Sequence, residues 1–149
     1  MNTVMFLRVG LLVFSLGIST WCVGQINEQS SGIVVVANVK ENGLKLTKQQ
    51  VKSLFMGSSL GYDFTVATLP PSSLVRVTFN TQIIGLTEDR IQSFWAQMRF
   101  TGRKTPPIQI DTLESLLEYV ISTPGAVTYL PANVAIPDSL QVLYQTEGL

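Results

Sequence analysis

The segment IVVVANV, Ile33 to Val39, is too continuously apolar for a strand with one solvated face. A half-exposed strand alternates apolar and polar residues, because successive side chains point to opposite faces. A run without that alternation predicts an interior strand covered on both sides, as in α/β sheets. The polar stretch NEQSSG precedes it and ENG turns the chain after it.

Downstream the periodicity changes. LTKQQVKSLFMG predicts a helix capped by Thr47, with Val51, Leu54 and Phe55 on one face and Gly57 as its stop. FTVATL (Phe64 to Leu69) alternates as a short strand, and PPSS breaks it. From Leu74 the apolar positions Val75, Phe79 and Ile83 repeat every four residues until Gly85 ends the helix. Thr87 caps the next one, where Ile91, Phe94, Trp95 and Met98 form a buried stripe that Phe100 extends. TPP forces an extended chain into IQID, a strand of four. Asp111, with Glu114 three residues on, has the capping-box pattern and opens LESLLEYVIST. Pro124 and Gly125 close that helix, AVTYL returns as a strand, and LQVLY supplies one more. Strands alternating with helices predict an α/β lobe with a mixed or largely parallel sheet, four or five strands and four helices.

At 149 residues the chain holds one such domain. It has no histidine, which excludes imidazole metal sites and Ser-His-Asp or Cys-His catalysis. Net charge is zero, so there is no basic footprint for nucleic acid. No nucleophile accompanies Asp111, Glu114 or Glu118, which read as a cap and a solvated face. The expectation is a protein that is not an enzyme, with no cofactor and no metal.

The N-terminus reads as a secretory signal peptide over 1–24: Arg8, the uncharged apolar core VGLLVFSLGISTW of 13 residues, then small side chains before cleavage after Gly24. A membrane-spanning helix needs about 20 apolar residues, reached here only by including Arg8. Trp21 precedes the sole cysteine, Cys22, where a lipoprotein needs a small residue. A linker over 25–32 and a domain over 33–149 complete the organisation. A mature chain without cysteine has no disulfide to hold it and relies on its core.

SSLVR, Ser72 to Arg76, carries the candidate site. Arg76 falls in the first turn of its helix, the wrong sign for the dipole, at a cost of a few tenths of a kcal/mol up to about 1. On one reading Ser73 is an ordinary cap and Arg76 a solvated cation whose removal raises stability slightly. On the other, free helix N–H groups, the serine hydroxyls and the guanidinium converge on an oxyanion. GRKTPP (Gly102 to Pro107) puts two more cations in a turn, by default solvated, otherwise a second anion contact.

LTKQQVKSLFMG, LPPSSLVRVTFN, FWAQMRFTGRKTPP and STPGAVTYLP, in that order, together resemble the substrate-binding proteins of phosphate ABC transporters. The likeness is to short, exported, single-lobe members with a periplasmic-binding-protein type II-like fold, and it covers about Ile33 to Leu130. In that family a Ser-Gly-Thr-x-x-Arg segment at a helix start holds phosphate between two lobes. The resemblance therefore implies phosphate or a similar oxyanion as ligand, with Ser72, Ser73 and Arg76 as its contacts. Three departures stand out: the Gly-Thr pair is missing, Tyr62 is the nearest aromatic after Gly57 where the family has tryptophan, and Thr128 replaces a glycine. There is also no room for a second lobe.

Three charge-assisted hydrogen bonds give a gross ~4.5–9 kcal/mol, against an association cost of ~4–15 kcal/mol. A lone lobe thus binds with about −5 kcal/mol at most, which is sub-millimolar. The expected function is a periplasmic, solute-binding-like domain linked to phosphate transport or sensing. A transporter component or another envelope protein is its expected partner. The alternative is a cell-envelope protein–protein interaction module that keeps the fold without the ligand.

Overall fold

The computed structural model describes residues 32–41 and 43–146. The expected signal peptide, with Cys22, and the linker up to residue 31 lie outside these. Five strands form one sheet in the order β3-β2-β4-β1-β5. They are β1 (Ile33–Ala37), β2 (Thr65–Thr68), β3 (Ile108–Gln109), β4 (Ala126–Pro131) and β5 (Gln141–Gln145). The sheet is mixed: β1 runs antiparallel to β4 and β5, whereas β2 runs parallel to β3 and β4. All five residues of β1 are buried and the strand is interior, as its unbroken apolar run requires.

Alternate β1 residues serve two cores. Val35 joins Val51, Phe55, Phe79 and Trp95 on one side of the sheet. Val34 and Val36 join Val120, Leu130 and Leu140 on the other. Helix α1 (Lys48–Phe55) carries the full capping box: the Thr47 hydroxyl accepts from the Gln50 N–H, and Gln50 Oε1 accepts from the Thr47 N–H. Gly57 ends that turn at φ +87°, and a Cβ there would lie 3.0 Å from the Trp95 ring and 2.8 Å from Lys104. The glycine is needed twice over, for its backbone and for the tryptophan.

Helix α2 (Leu74–Phe79) starts on Ser73 and passes into a π-helical segment, Asn80–Ile84. There the Gly85 N–H reaches back five residues to the Asn80 carbonyl at 2.7 Å. The wider turn buries Ile83 and Ile84 together and turns Asn80 inward. Helix α3 (Glu88–Phe100) buries Ile91 and Trp95, with Phe94 and Met98 packed against the core. Phe100 leaves the expected stripe: as the last residue of α3 it is 93% exposed.

Two boundaries differ from expectation. The strand in IQID contracts to Ile108–Gln109, both exposed, because the pairing with β2 covers two positions before the chain bends away. Helix α4 (Leu113–Ser122) is capped by Thr112, whose hydroxyl accepts from the Ser115 N–H at 3.1 Å, and not by Asp111. At the expected family glycine, the Thr128 side chain is buried and donates to the Ala67 carbonyl at 3.0 Å. No helix among the described residues is long and apolar enough to cross a membrane.

Candidate anion-binding site

After β2 the prolines turn the chain, with the Ser73 N–H bonded to the Pro70 carbonyl, and α2 begins. The Ser73 hydroxyl accepts from the Arg76 N–H at 3.5 Å, so Ser73 is the cap. One turn on, the Arg76 side chain folds back against the end of the sheet and is only 8% exposed. It is therefore not the solvated cation of the first reading.

Its guanidinium is already engaged. Nε donates to Glu88 Oε2 at 2.9 Å and Nη2 to Glu88 Oε1 at 2.6 Å, a two-point ion pair. Nη1 donates to the Leu69 carbonyl at 2.6 Å and, more distantly, to the Thr68 hydroxyl. Glu88 collects two further donors, Asn80 Nδ2 at 2.8 Å and Gln92 Nε2 at 2.6 Å. Burial pushes its carboxyl up, but the hydrogen bonds from Arg76, Gln92 and Asn80 and the guanidinium charge outweigh burial and hold it below the usual value.

Behind this pair the Tyr129 hydroxyl lies 2.8 Å from Thr68 Oγ1 and accepts from the Leu69 N–H at 3.2 Å. Burial is the main cause of its raised pKa. The Tyr129 ring stacks on Phe79 at 4.1 Å, so the polar chain from Tyr129 to Glu88 is anchored in the aromatic core. Glu88 went unnoticed in the sequence. The signal was there: an acidic residue opening the helix next to the one carrying a first-turn arginine.

The three expected contacts do not share a cavity. Arg76 lines a cavity of about 310 Å³ together with Thr68, Asn80, Gln92, Arg99 and Gln109. Ser72 and Ser73 open instead on a separate cleft that also contains Asp111 and Glu114 and no cation. Arg103 and Lys104 line a third, beside Ser58, Ser59 and Trp95, and Lys104 Nζ donates to the Met56 carbonyl at 3.4 Å. Among the described residues no group of carboxylates or cysteines is arranged to hold a metal ion.

Searches of the sequence against protein-family profiles and against curated protein sequences return no match. Among solved structures the fold is similar to an ABC-type phosphate transport receptor from Vibrio cholerae, with a TM-score of 0.55 and 18% identity. The likeness covers 75% of this chain and 45% of that one, so the chain spans less than half the receptor's length. At that identity it is a likeness of fold: the described residues form an α/β architecture, a mixed five-stranded sheet flanked by helices, similar to part of that receptor.

Proposed function

We propose that this chain is a non-enzymatic, solute-binding-like domain exported across the inner membrane to the periplasm. Its ligand is phosphate or another oxyanion, held weakly, in a role linked to phosphate transport or sensing. The supporting observation is the cavity walled by Arg76 and Arg99 with the side-chain donors Thr68, Asn80, Gln92 and Gln109, in a lobe shaped like part of a phosphate transport receptor. Arg76 stands in the wall of this site, and Ser72 and Ser73 at the helix start are proposed as a separate anion contact on the neighbouring cleft.

Thermal melts at constant ionic strength test this. Phosphate at ~10 mM, some fifty times a Kd of ~0.2 mM, is expected to raise the midpoint by up to about 10 °C over chloride. Arg99→Gln should remove that gain. Ser72→Ala with Ser73→Ala should remove a smaller part of it, and an unchanged gain strikes the serines from the anion contacts. Equal midpoints in phosphate and chloride overturn the reading. Export is checked by intact mass of the protein from its host: loss of residues 1–24 is expected, and a species retaining Trp21 and Cys22 contradicts it.

A second reading, an envelope protein–protein interaction module, is favoured by two observations. The Arg76 guanidinium is satisfied by Glu88, Leu69 and Thr68 within the protein. A 93% exposed Phe100 stands beside Arg99 in the sequence and close to Arg103 and Lys104.

A further inference from the structure

The turn that ends α3 fixes a large apolar side chain in water. A Schellman motif closes the helix: the Gly102 N–H bonds to the Arg99 carbonyl, and the Arg103 N–H reaches back to the Met98 carbonyl, both at 3.1 Å. Gly102 supplies the left-handed residue, at φ +65°. The Thr101 hydroxyl donates to the Gln97 and Met98 carbonyls, also at 3.1 Å. In such a turn an apolar residue at the position of Arg103 often packs back on the helix. Here that position is an exposed cation, and Phe100 on the same turn is 93% exposed.

Charge is one-sided around this tip. The sequence from Arg90 to Ile110 contains Arg90, Arg99, Arg103 and Lys104 and no acidic residue. Among the described residues Arg99, Arg103 and Lys104 have no carboxylate partner; the ion pair is that of Arg76 with Glu88. Lys104 Nζ donates to the neutral Met56 carbonyl at 3.4 Å, which leaves its charge unopposed. A cation at a helix C-terminus complements the dipole, and Arg99 in the last turn of α3 meets that need. The dipole does not account for Phe100.

The shape of the tip selects its occupant. Arg99 to Thr105 is an unbroken exposed run of seven residues. A stable protein interface uses about 20–30 residues a side, and this run offers one large apolar side chain. Free phosphate gives the phenyl ring nothing to enter. An anionic lipid surface takes both parts, the ring at the acyl boundary and the cations among the headgroups.

We infer that the α3 tip, Arg99 to Lys104, docks the protein on a bilayer surface rich in anionic lipid. Phe100 enters the apolar boundary, and Arg99, Arg103 and Lys104 meet the headgroup phosphates. Arg99 is the residue this tip shares with the cavity of the proposed function, so the test leaves it unchanged.

The test is co-sedimentation of the full chain with vesicles of phosphatidylcholine, with and without about one-third phosphatidylglycerol. Binding to the anionic vesicles is expected to be at least about fivefold tighter than to the neutral ones. Phe100→Ser should weaken it about tenfold, and Arg103→Gln about fivefold. Arg90→Gln removes the same charge ten residues before Phe100 on α3. That is about 15 Å away, beyond a Debye length of about 8 Å, so this variant should bind like the wild type. The apolar N-terminal segment is common to every chain, so the differences between them read the tip. Wild-type binding by Phe100→Ser overturns the inference, as does equal weakening by Arg90→Gln and Arg103→Gln. No preference for the anionic vesicles also overturns it and leaves Phe100 to the protein-interaction reading. The phosphate melts test the cavity separately and are untouched by any of these results.

Discussion

Arg76, read from the sequence as either a solvated cation or an oxyanion contact, is buried and already paired within the protein. Its partner is Glu88, twelve residues on, at 2.6 Å. That pairing reverses the expectation that removing the arginine would raise stability slightly. Arg76→Met leaves the Glu88 carboxylate beside a hydrocarbon chain and should cost about 3 kcal/mol, the lower end of the ~3–5 kcal/mol for breaking a buried pair, since Glu88 is 24% exposed. Adding Glu88→Leu should recover most of the loss, because an apolar pair of similar volume needs no partner. Urea unfolding of the two variants measures both; a double variant no better than the single one would mean that lost packing, not the orphaned charge, dominates. The pair also has a pH signature. With its folded pKa held low, Glu88 contributes stability that is present above the unfolded value near 4.5 and is lost as pH falls through the folded one. Urea midpoints from pH 7 to 3 should therefore fall more steeply in the wild type than in Glu88→Gln, and parallel profiles would sink that assignment. The sequence showed that Arg76 had the wrong sign for its place. It could not show the remedy, because the contact is made by the chain reversing through Gly85, not by helical spacing.

The elements themselves were legible where one local rule acts alone. IVVVA had to be interior, Thr47 had the Gln50 its capping box needs, and Gly57 and Gly85 both take a positive φ. Legibility failed where two local rules competed. At DTLE, Asp111 with Glu114 fits the capping-box spacing, yet Thr112 with Ser115 makes the cap one residue later. Thr112→Ala should accordingly cost about 1 kcal/mol and Asp111→Ala close to nothing. Thermal denaturation that ranks the two in the opposite order would restore Asp111 as the cap. The π-helical segment was hidden for a related reason. Val75, Phe79 and Ile83 keep a period of four, so the pattern predicts an unbroken helix, whereas the burial of Asn80 and Ile84 needs the wider turn. Asn80 then reaches Glu88, so the irregular turn is part of what assembles the polar network. Phe100 misled through composition: an aromatic at the end of an apolar stripe reads as core, but as the last residue of α3 it is exposed.

The whole lobe depends on a sheet covered on both sides, and that sets what the cavity can be. Its floor is the α1, α2 and α3 side of the molecule, where Phe55, Phe79, Tyr129 and Trp95 pack around Val35. The opposite face, under α4, is a separate core around Val34 and Val36. A cavity walled by such packed elements is rigid, whereas one built on loops would lose affinity to ordering. The two faces make a prediction that distinguishes this architecture from a sheet with a solvated side. Val35 and Val36 are both fully buried and point in opposite directions. Val35→Ala and Val36→Ala each delete two methyl groups from a packed interior, and each should cost about 2–3 kcal/mol from lost burial and the cavity left behind. The losses should be similar, and they should add in the double variant, because the sheet separates the two cores. Urea unfolding of the three proteins reads this directly. One large loss beside one near zero would mean that a face of β1 is solvated, and the layered lobe, with the cavity built on it, would have to be abandoned.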